Sequence, residues 1–102
     1  MDIAQPLAAL ADPSRRSIFE LLHKTPASVR ELTDQLPISQ PAVSQHLKIL
    51  TTAGLVSSTP DGARRIYAAN PAGLAQLRSW IDSMWTDVLD HFEQAARKDA
   101  NL

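Results

Sequence analysis

Start and stop signals for two short helices stand in residues 28–50, SVRELTDQLPISQPAVSQHLKIL. Ser28 and Glu31 have the S-x-x-E spacing of a capping box, which predicts that a helix follows. Pro37 stops this helix because proline cannot continue one, and Ser39 is suited to cap the next. So short a turn between two helices is typical of a helix-turn-helix.

The second of these helices, from Ser39 to about Gly54, divides into two faces. At 100° per residue its apolar side chains share one half, which anchors the helix to the domain. Amide and hydroxyl side chains of the other half suit base edges in a major groove, and lysine suits phosphate. The predicted DNA contacts of this helix are Ser39, Gln40, Pro41, Ser44, Gln45 and Lys48. The alternative is a plain solvated face, although such faces are usually richer in Glu and Lys.

Two strand-like runs follow, LVSSTP and RRIYAAN, with a turn predicted at Pro60, Asp61 and Gly62. Arg64 and Arg65 come directly after this turn and are further predicted DNA contacts. An arginine at the tip of a hairpin wing can reach a backbone phosphate or the minor groove. Only one of the two need touch DNA, since successive strand residues face opposite ways. The alternative is an edge strand whose positive charges serve solubility.

Helices are predicted on both sides of this unit. Upstream, an apolar stripe marks a short first helix, and Asp12 followed by Pro13 predicts the start of a second, which ends near Lys24. Downstream, Asn70 and Pro71 predict the start of a last helix of about 25 residues. The expected fold is therefore mainly α, an α+β winged helix with a two-stranded β wing.

Length and composition favour one domain: the chain has 102 residues, of which 44% are hydrophobic and 21% charged. We assign residues 1–102 to a single winged helix-turn-helix DNA-binding domain. Within it, 28–52 form the helix-turn-helix, 55–69 the wing, and 1–11 and 71–98 dimerisation helices. With no apolar run of membrane-spanning length and no secretory signal, we expect a cytoplasmic protein without a membrane partner.

Dimerisation is expected because the last helix has more apolar surface than so small a domain needs. Burying one large aromatic side chain stabilises by about 1.5–3 kcal/mol, whereas leaving several exposed would create a sticky patch. Packing against the same helix of a second chain buries them, and the first helix is expected to join. The predicted interface is Ile3, Leu7, Leu10, Ile81, Met84, Trp85, Val88, Leu89 and Phe92. The alternative, folding back on its own core, is expected only for the first half of the helix.

The formal net charge is −1, but the charges are unevenly distributed. Residues 38–78 contain four basic and one acidic side chain, whereas residues 79–102 contain two basic and five acidic ones. Such asymmetry sets up a local positive field in a nearly neutral protein. It places that field on the segment predicted to read DNA.

No catalytic residue, metal site or cofactor is predicted. The chain has no cysteine, no Ser/His/Asp spacing and no glycine-rich phosphate loop, so we do not expect an enzyme. His46 is expected at the edge of the core with a satisfied hydrogen bond, in preference to a base contact. Arg15 and Arg16 are expected to have a structural role; pairing with an acid such as Glu20 and an approach to the DNA backbone are both open.

Four pieces carry a family resemblance: ALADPSRRSIFELL, SVRELTDQLPISQPAVSQHLKIL, AGLV and DGARRIY. In this order and spacing they resemble the ArsR-type winged-helix transcriptional repressors, closely over about residues 7–70. The resemblance implies a homodimer that binds a twofold-symmetric operator in double-stranded DNA, often at its own promoter, and leaves it when an effector arrives. It also places Gln40, Pro41, Ser44 and Gln45 at the groove-facing positions.

The chain departs from the metal-sensing members of that family. Some have paired cysteines before the reading helix, where this chain has SVRELTDQL; others have an Asp-x-His, where Asp82 is followed by Met84, with only His91 downstream. We therefore expect the cysteine-free branch, with an unknown effector. One alternative is a metal-responsive repressor that uses Asp87 and His91. Another is a protein-interaction module, which would need an apolar or acidic exposed face on helix 39–50.

Overall fold

The computed structural model describes residues 2–100, which form five helices and one two-stranded antiparallel sheet. In chain order the elements are α1 (Ala4–Ala11), α2 (Pro13–Lys24), α3 (Val29–Gln35), α4 (Gln40–Thr52), β1 (Val56–Asp61), β2 (Arg64–Ala69) and α5 (Pro71–Ala100). The predicted winged-helix fold is thereby confirmed. None of these helices is both long and apolar enough to span a membrane.

The helices start where their capping residues stand. The Asp12 carboxylate accepts a hydrogen bond from the backbone N–H of Arg15 at 2.9 Å and caps α2. At α3 the capping box is complete, because Ser28 and Glu31 each accept a hydrogen bond from the other's backbone N–H. Ser39 caps α4 in the same way. These bonds satisfy N–H groups that have no partner within a helix.

One apolar core joins α2, α3, α4 and the start of β1. Its largest fully buried side chains are Ile18, Leu22, Leu32, Val43, Leu47, Leu50 and Leu55. On α2, Phe19 is also buried, whereas Leu21 is only half-buried. The core thus holds the two helices of the helix-turn-helix at a fixed angle to the wing.

The wing turn is shorter than predicted. Pro60 and Asp61 are the last residues of β1, paired with Arg65 and Arg64 of β2, so that only residues 62 and 63 form the turn. Gly62 has a φ of +64°, a backbone conformation that glycine adopts without strain. Proline is tolerated at the end of β1 because both strands lie at sheet edges.

A backbone bridge attaches the wing to the segment before α3. The N–H of Ala27 donates to the carbonyl of Tyr67 at 3.0 Å, and the N–H of Tyr67 donates back at 2.8 Å. These two hydrogen bonds link the wing directly to the helix-turn-helix.

Only the beginning of α5 packs on the domain. Gly73 and Leu77 are buried, Trp80 is half-buried, and every residue from Ile81 to Ala100 is exposed. With 30 residues the helix extends the molecule to 69 Å along its longest axis. This agrees with the expectation that only the first half of the helix folds back on its own core.

Candidate nucleic-acid interface

A polar ridge runs along the outer side of α4. On the inner side Val43, Leu47 and Leu50 are buried in the core, which fixes the rotation of the helix about its axis. The ridge, as the term is used below, consists of Ser39, Gln40, Pro41, Ser44, Gln45 and Lys48, all of which are exposed. The structure thus brings together the predicted contact residues of this helix; their contact with DNA stays a prediction.

The ridge side chains are available to a ligand. Within residues 2–100, no hydrogen bond or ion pair to another protein group engages the side chains of Gln40, Ser44, Gln45 or Lys48. Ser39 is the exception, since its hydroxyl caps the helix. Three neutral hydrogen-bonding side chains and one cation therefore face outward together, a combination suited to base edges and phosphate.

The wing arginines differ in their surroundings. Arg64 lies 3.3 Å from the Asp61 carboxylate and 3.5 Å from the Glu31 carboxylate of α3, so two acids share its charge. Arg65 donates from Nε to the hydroxyl of Ser58 at 3.1 Å and has no acid partner in the described residues. Both side chains are exposed. Arg65 therefore offers the less compensated charge.

The wing and the ridge meet at a groove of about 710 Å³. Gln40 lines it from the start of α4, while Arg64 and Arg65 line it from β2. Glu31 lines the same groove, and its place beside Arg64 was missed from the sequence. The capping box fixes where Glu31 stands on α3, but the pairing depends on how the wing packs.

Two acids near the interface ionise more readily than usual. The backbone N–H of Arg15 holds the pKa of Asp12 below its ordinary value, and the charge of the Arg15 guanidinium acts in the same direction. Hydrogen bonds from the backbone and side chain of Ser28 lower the pKa of Glu31, with a smaller contribution from Arg64. Glu31 is therefore an anion beside the wing at neutral pH.

The prediction that His46 makes a hydrogen bond is wrong. The residue is half-buried, and its Nδ1 is a buried atom without a partner in residues 2–100. The reason is its position on the apolar side of α4, between Ala42 and Leu50 on the helical wheel. The ring thus packs at the edge of the core without polar anchoring.

The structural role expected for Arg15 and Arg16 is confirmed, but with other partners. Arg15 donates from Nε to the carbonyl of Ala9 at 2.9 Å, and Arg16 donates to the carbonyl of Leu10 at 3.1 Å. Both guanidinium groups therefore cap the last carbonyls of α1. Neither pairs with Glu20 in the described residues.

An apolar stripe follows α5 beyond the core. Trp85 is 60% exposed and Phe92 is 72% exposed, values that are unusual for large aromatic side chains in a monomer. Among residues 2–100, the exposed large apolar side chains are those of Leu7, Leu74, Ile81, Met84, Trp85, Val88, Leu89 and Phe92. Leu74 is exposed but was not among the predicted interface residues. Ile3 and Leu10, which were, are half-buried, and Leu10 packs against the chain's own core.

No three His, Asp or Glu side chains in residues 2–100 are close enough to hold a metal ion together. Asp87 and His91 lie one turn apart on the exposed part of α5. Nearby, Asp82 pairs with Arg78 at 3.7 Å.

An exposed polar helix set in a helix-turn-helix and flanked by a basic hairpin defines a winged helix-turn-helix DNA-binding protein. Residues 12–58 match the model of a family described as "Bacterial regulatory protein, arsR family". The chain is 52% identical over 86 residues to HTH-type transcriptional regulator Rv2034 of Mycobacterium tuberculosis, covering 84% of this chain and 80% of that protein. HTH-type transcriptional repressor SmtB of the same species is 42% identical over 71 residues, which are 70% of this chain and 53% of SmtB.

Solved structures give the same result. A possible transcriptional regulator for arsenical resistance superposes with a TM-score of 0.70 at 45% identity, covering 84% of this chain and 90% of that one. An ArsR-like transcriptional regulator from Rhodococcus sp. RHA1 superposes with a TM-score of 0.73 at 33% identity, covering 92% of both chains. The protein therefore belongs to the ArsR family of DNA-binding transcriptional regulators, which are not enzymes.

Proposed function

We propose that the protein is a homodimeric, sequence-specific transcriptional repressor that acts in the cytoplasm on double-stranded DNA. The observation that carries the proposal is the ridge, in which the side chains of Gln40, Ser44, Gln45 and Lys48 have no protein partner in the described residues, on a helix whose other side is buried in the core. A solvated face without function would have no need of such a uniform set of neutral hydrogen-bonding groups.

In this proposal α4 enters the major groove. Gln40, Ser44 and Gln45 then hydrogen-bond base edges, while Lys48 binds a phosphate. Arg65, with the less compensated charge of the wing pair, binds the backbone beside the groove. The helix supplies most of the sequence preference, and the wing supplies affinity that depends on salt.

The apolar stripe of α5 supports the dimer. Two copies packed through α5, with α1 alongside, bury Trp85 and Phe92 in an interface related by a twofold axis. Such a dimer presents two ridges about 34 Å apart to successive major grooves. We therefore expect a twofold-symmetric operator, at the protein's own promoter or that of a neighbouring operon. The signal that releases the repressor is unknown.

A fluorescence anisotropy titration on the DNA upstream of the protein's own coding sequence tests this function. At physiological salt we expect a Kd of about 10⁻⁸ M or tighter, and at least about a thousandfold weaker binding to scrambled DNA of equal length. Equal affinity for both DNAs would contradict sequence-specific binding. Added Zn²⁺ should leave the affinity unchanged; loss of binding with Zn²⁺ would instead support the metal-responsive alternative.

A further inference from the structure

A second concave site lies between α1 and the C-terminal half of α4. Its volume is about 370 Å³, at the lower end of the range for small-molecule pockets, about 300–1,000 Å³. Ala8, Ala9 and Ile49 contribute apolar lining, and Gln45 and Lys48 of the ridge line it as well. The cavity therefore shares two side chains with the proposed DNA surface but extends away from it.

The charge around the cavity is positive. Arg15 and Lys48 line it, and none of its lining residues in the described chain is acidic. Arg15 is fixed in place because its Nε donates to the carbonyl of Ala9, whereas Lys48 has no acid partner within residues 2–100. Asp12, the acid next to Arg15, does not line the cavity, and its carboxylate already accepts the backbone N–H of Arg15.

The cavity stays open in the proposed dimer. Gln5 and Ala9 face it from α1, and at 100° per residue they lie on the opposite side of that helix from Leu7. Ile3 and Leu10 fall on the same side as Leu7, toward the proposed partner chain. Packing through that stripe therefore leaves the cavity side of α1 uncovered.

We propose that this cavity binds a small amphipathic organic anion, a carboxylate on a ring or short apolar chain, and that bound anion and DNA exclude each other. The carboxylate pairs with Lys48 and Arg15, and the apolar body lies against Ala8 and Ile49. Gln45 and Lys48 belong to both surfaces. A carboxylate bound in the cavity therefore pairs with the Lys48 ammonium, which can then no longer bind a phosphate, and the bound ligand sterically hinders Gln45. Anion binding stands alone, whereas the exclusion of DNA rests on the proposed function.

The size of the effect follows from mass action. A ligand that binds only the DNA-free form weakens apparent DNA affinity by the factor 1 + [L]/Kd. At a ligand concentration ten times its Kd, we therefore expect about elevenfold weaker DNA binding.

Calorimetry with 1-naphthoate on the full chain tests anion binding without DNA. We expect 1-naphthoate to bind, and to shift the backbone amide resonances of α1 and the second half of α4. Neutral 1-naphthamide, which lacks the charge, and acetate, which lacks the apolar body, should both bind at least about tenfold more weakly. Absence of naphthoate binding, equal binding of the amide, or resonance shifts confined to other elements would overturn the proposal.

Ala8→Leu fills part of the cavity with an uncharged side chain, and Ala8 itself is not a predicted DNA or dimer contact. Ala72→Leu adds the same volume at an exposed position near the start of α5, outside the cavity and away from Trp85 on the helical wheel. We expect Ala8→Leu to lose naphthoate binding and to bind the upstream DNA as wild type does, but no longer to release it with naphthoate. Ala72→Leu should behave as wild type in all three measurements. Simultaneous, uncoupled binding of naphthoate and DNA to the wild type would overturn the exclusion. DNA that fails to bind even without naphthoate would overturn the proposed function instead, since calorimetry still reports on the cavity.

Discussion

Ser44 and Gln45 stand in the middle of the ridge with exposed side chains and no protein partner in the described residues. A side chain that hydrogen-bonds a base edge contributes about 1–3 kcal/mol of discrimination. We expect Ser44→Ala and Gln45→Ala each to weaken operator binding by about that amount, because each variant loses a group that hydrogen-bonds a base. The fold should be unaffected, because both positions are exposed. Anisotropy titrations measure the loss. Gln76→Ala, an exposed glutamine of α5, is the control; unchanged affinity in both ridge variants would move base reading off α4.

Gly73 is buried where α5 begins, against the loop that follows α4. A Cβ at this position would overlap the backbone carbonyl of Gly54, which cannot turn away as a side chain does. Alanine favours a helix over glycine by about 1 kcal/mol, but such a clash costs about 1–3 kcal/mol, so Gly73→Ala should destabilise the protein. Urea unfolding measures the change. Ser79→Ala on the exposed side of α5 is the control, and a Gly73→Ala protein at least as stable as wild type would contradict the close packing.

The exposure of single residues was predictable where the helical wheel alone determines whether a side chain is buried or exposed. The ridge and the buried Val43, Leu47 and Leu50 follow from a period of 3.6 residues, and the structure places them accordingly. His46 and Arg15 were harder, because their surroundings come from other elements. No local pattern says that the Arg15 guanidinium lies over the end of α1.

The wing acts as one element, held to the segment before α3 by its backbone bridge. We expect Arg64→Ala plus Arg65→Ala to weaken binding to all DNA sequences and to reduce the slope of log K against log salt by about one for each phosphate that is no longer bound. Salt titrations from low to physiological concentration measure that slope. Arg97→Ala plus Lys98→Ala, which removes two exposed positive charges from the end of α5, serves as the charge-matched control. A slope identical to wild type in the double variant would remove the wing from the interface.

The start of a helix was predictable where the sequence has a capping residue. Asp12, Ser28 and Ser39 each fixed a helix start, because their side chains satisfy backbone N–H groups that would otherwise lack partners. The sequence predicted the wing turn at Pro60, Asp61 and Gly62, because proline and aspartate are common in turns. In the structure Pro60 and Asp61 instead belong to β1. Pairing with Arg65 and Arg64 across the sheet decided the outcome, and this pairing is not visible in either strand by itself.

The whole molecule is elongated because α5 extends beyond the rest of the domain after Trp80. This extension carries an exposed apolar stripe. We expect Trp85→Ala to shift the protein toward monomer in sedimentation velocity at micromolar concentration, because the ring is exposed in one chain and the proposed dimer would bury it. The same variant should retain its helical content and bind the operator more weakly. Gln94→Ala, on the opposite side of α5, is the control. A dimer as tight as wild type would show that this ring lies outside the interface.

At this scale the order of parts was predictable, but the spaces between them were not. The succession of helices, hairpin and long helix follows from caps, turns and apolar spacing. The cavity between α1 and α4 arises from packing of residues some 40 positions apart, such as Ala8 and Lys48, and neither helix alone indicates it.

Hydroxyl-radical footprinting of the upstream DNA tests most directly whether two copies of α4 read a duplex together. We expect two protected tracts related by a twofold axis, with centres about 10 base pairs apart, and loss of both tracts in the Gln45→Ala protein at the same concentration. A single tract, a continuous uniform protection, or a footprint that survives the loss of Gln45 would contradict recognition by paired ridges.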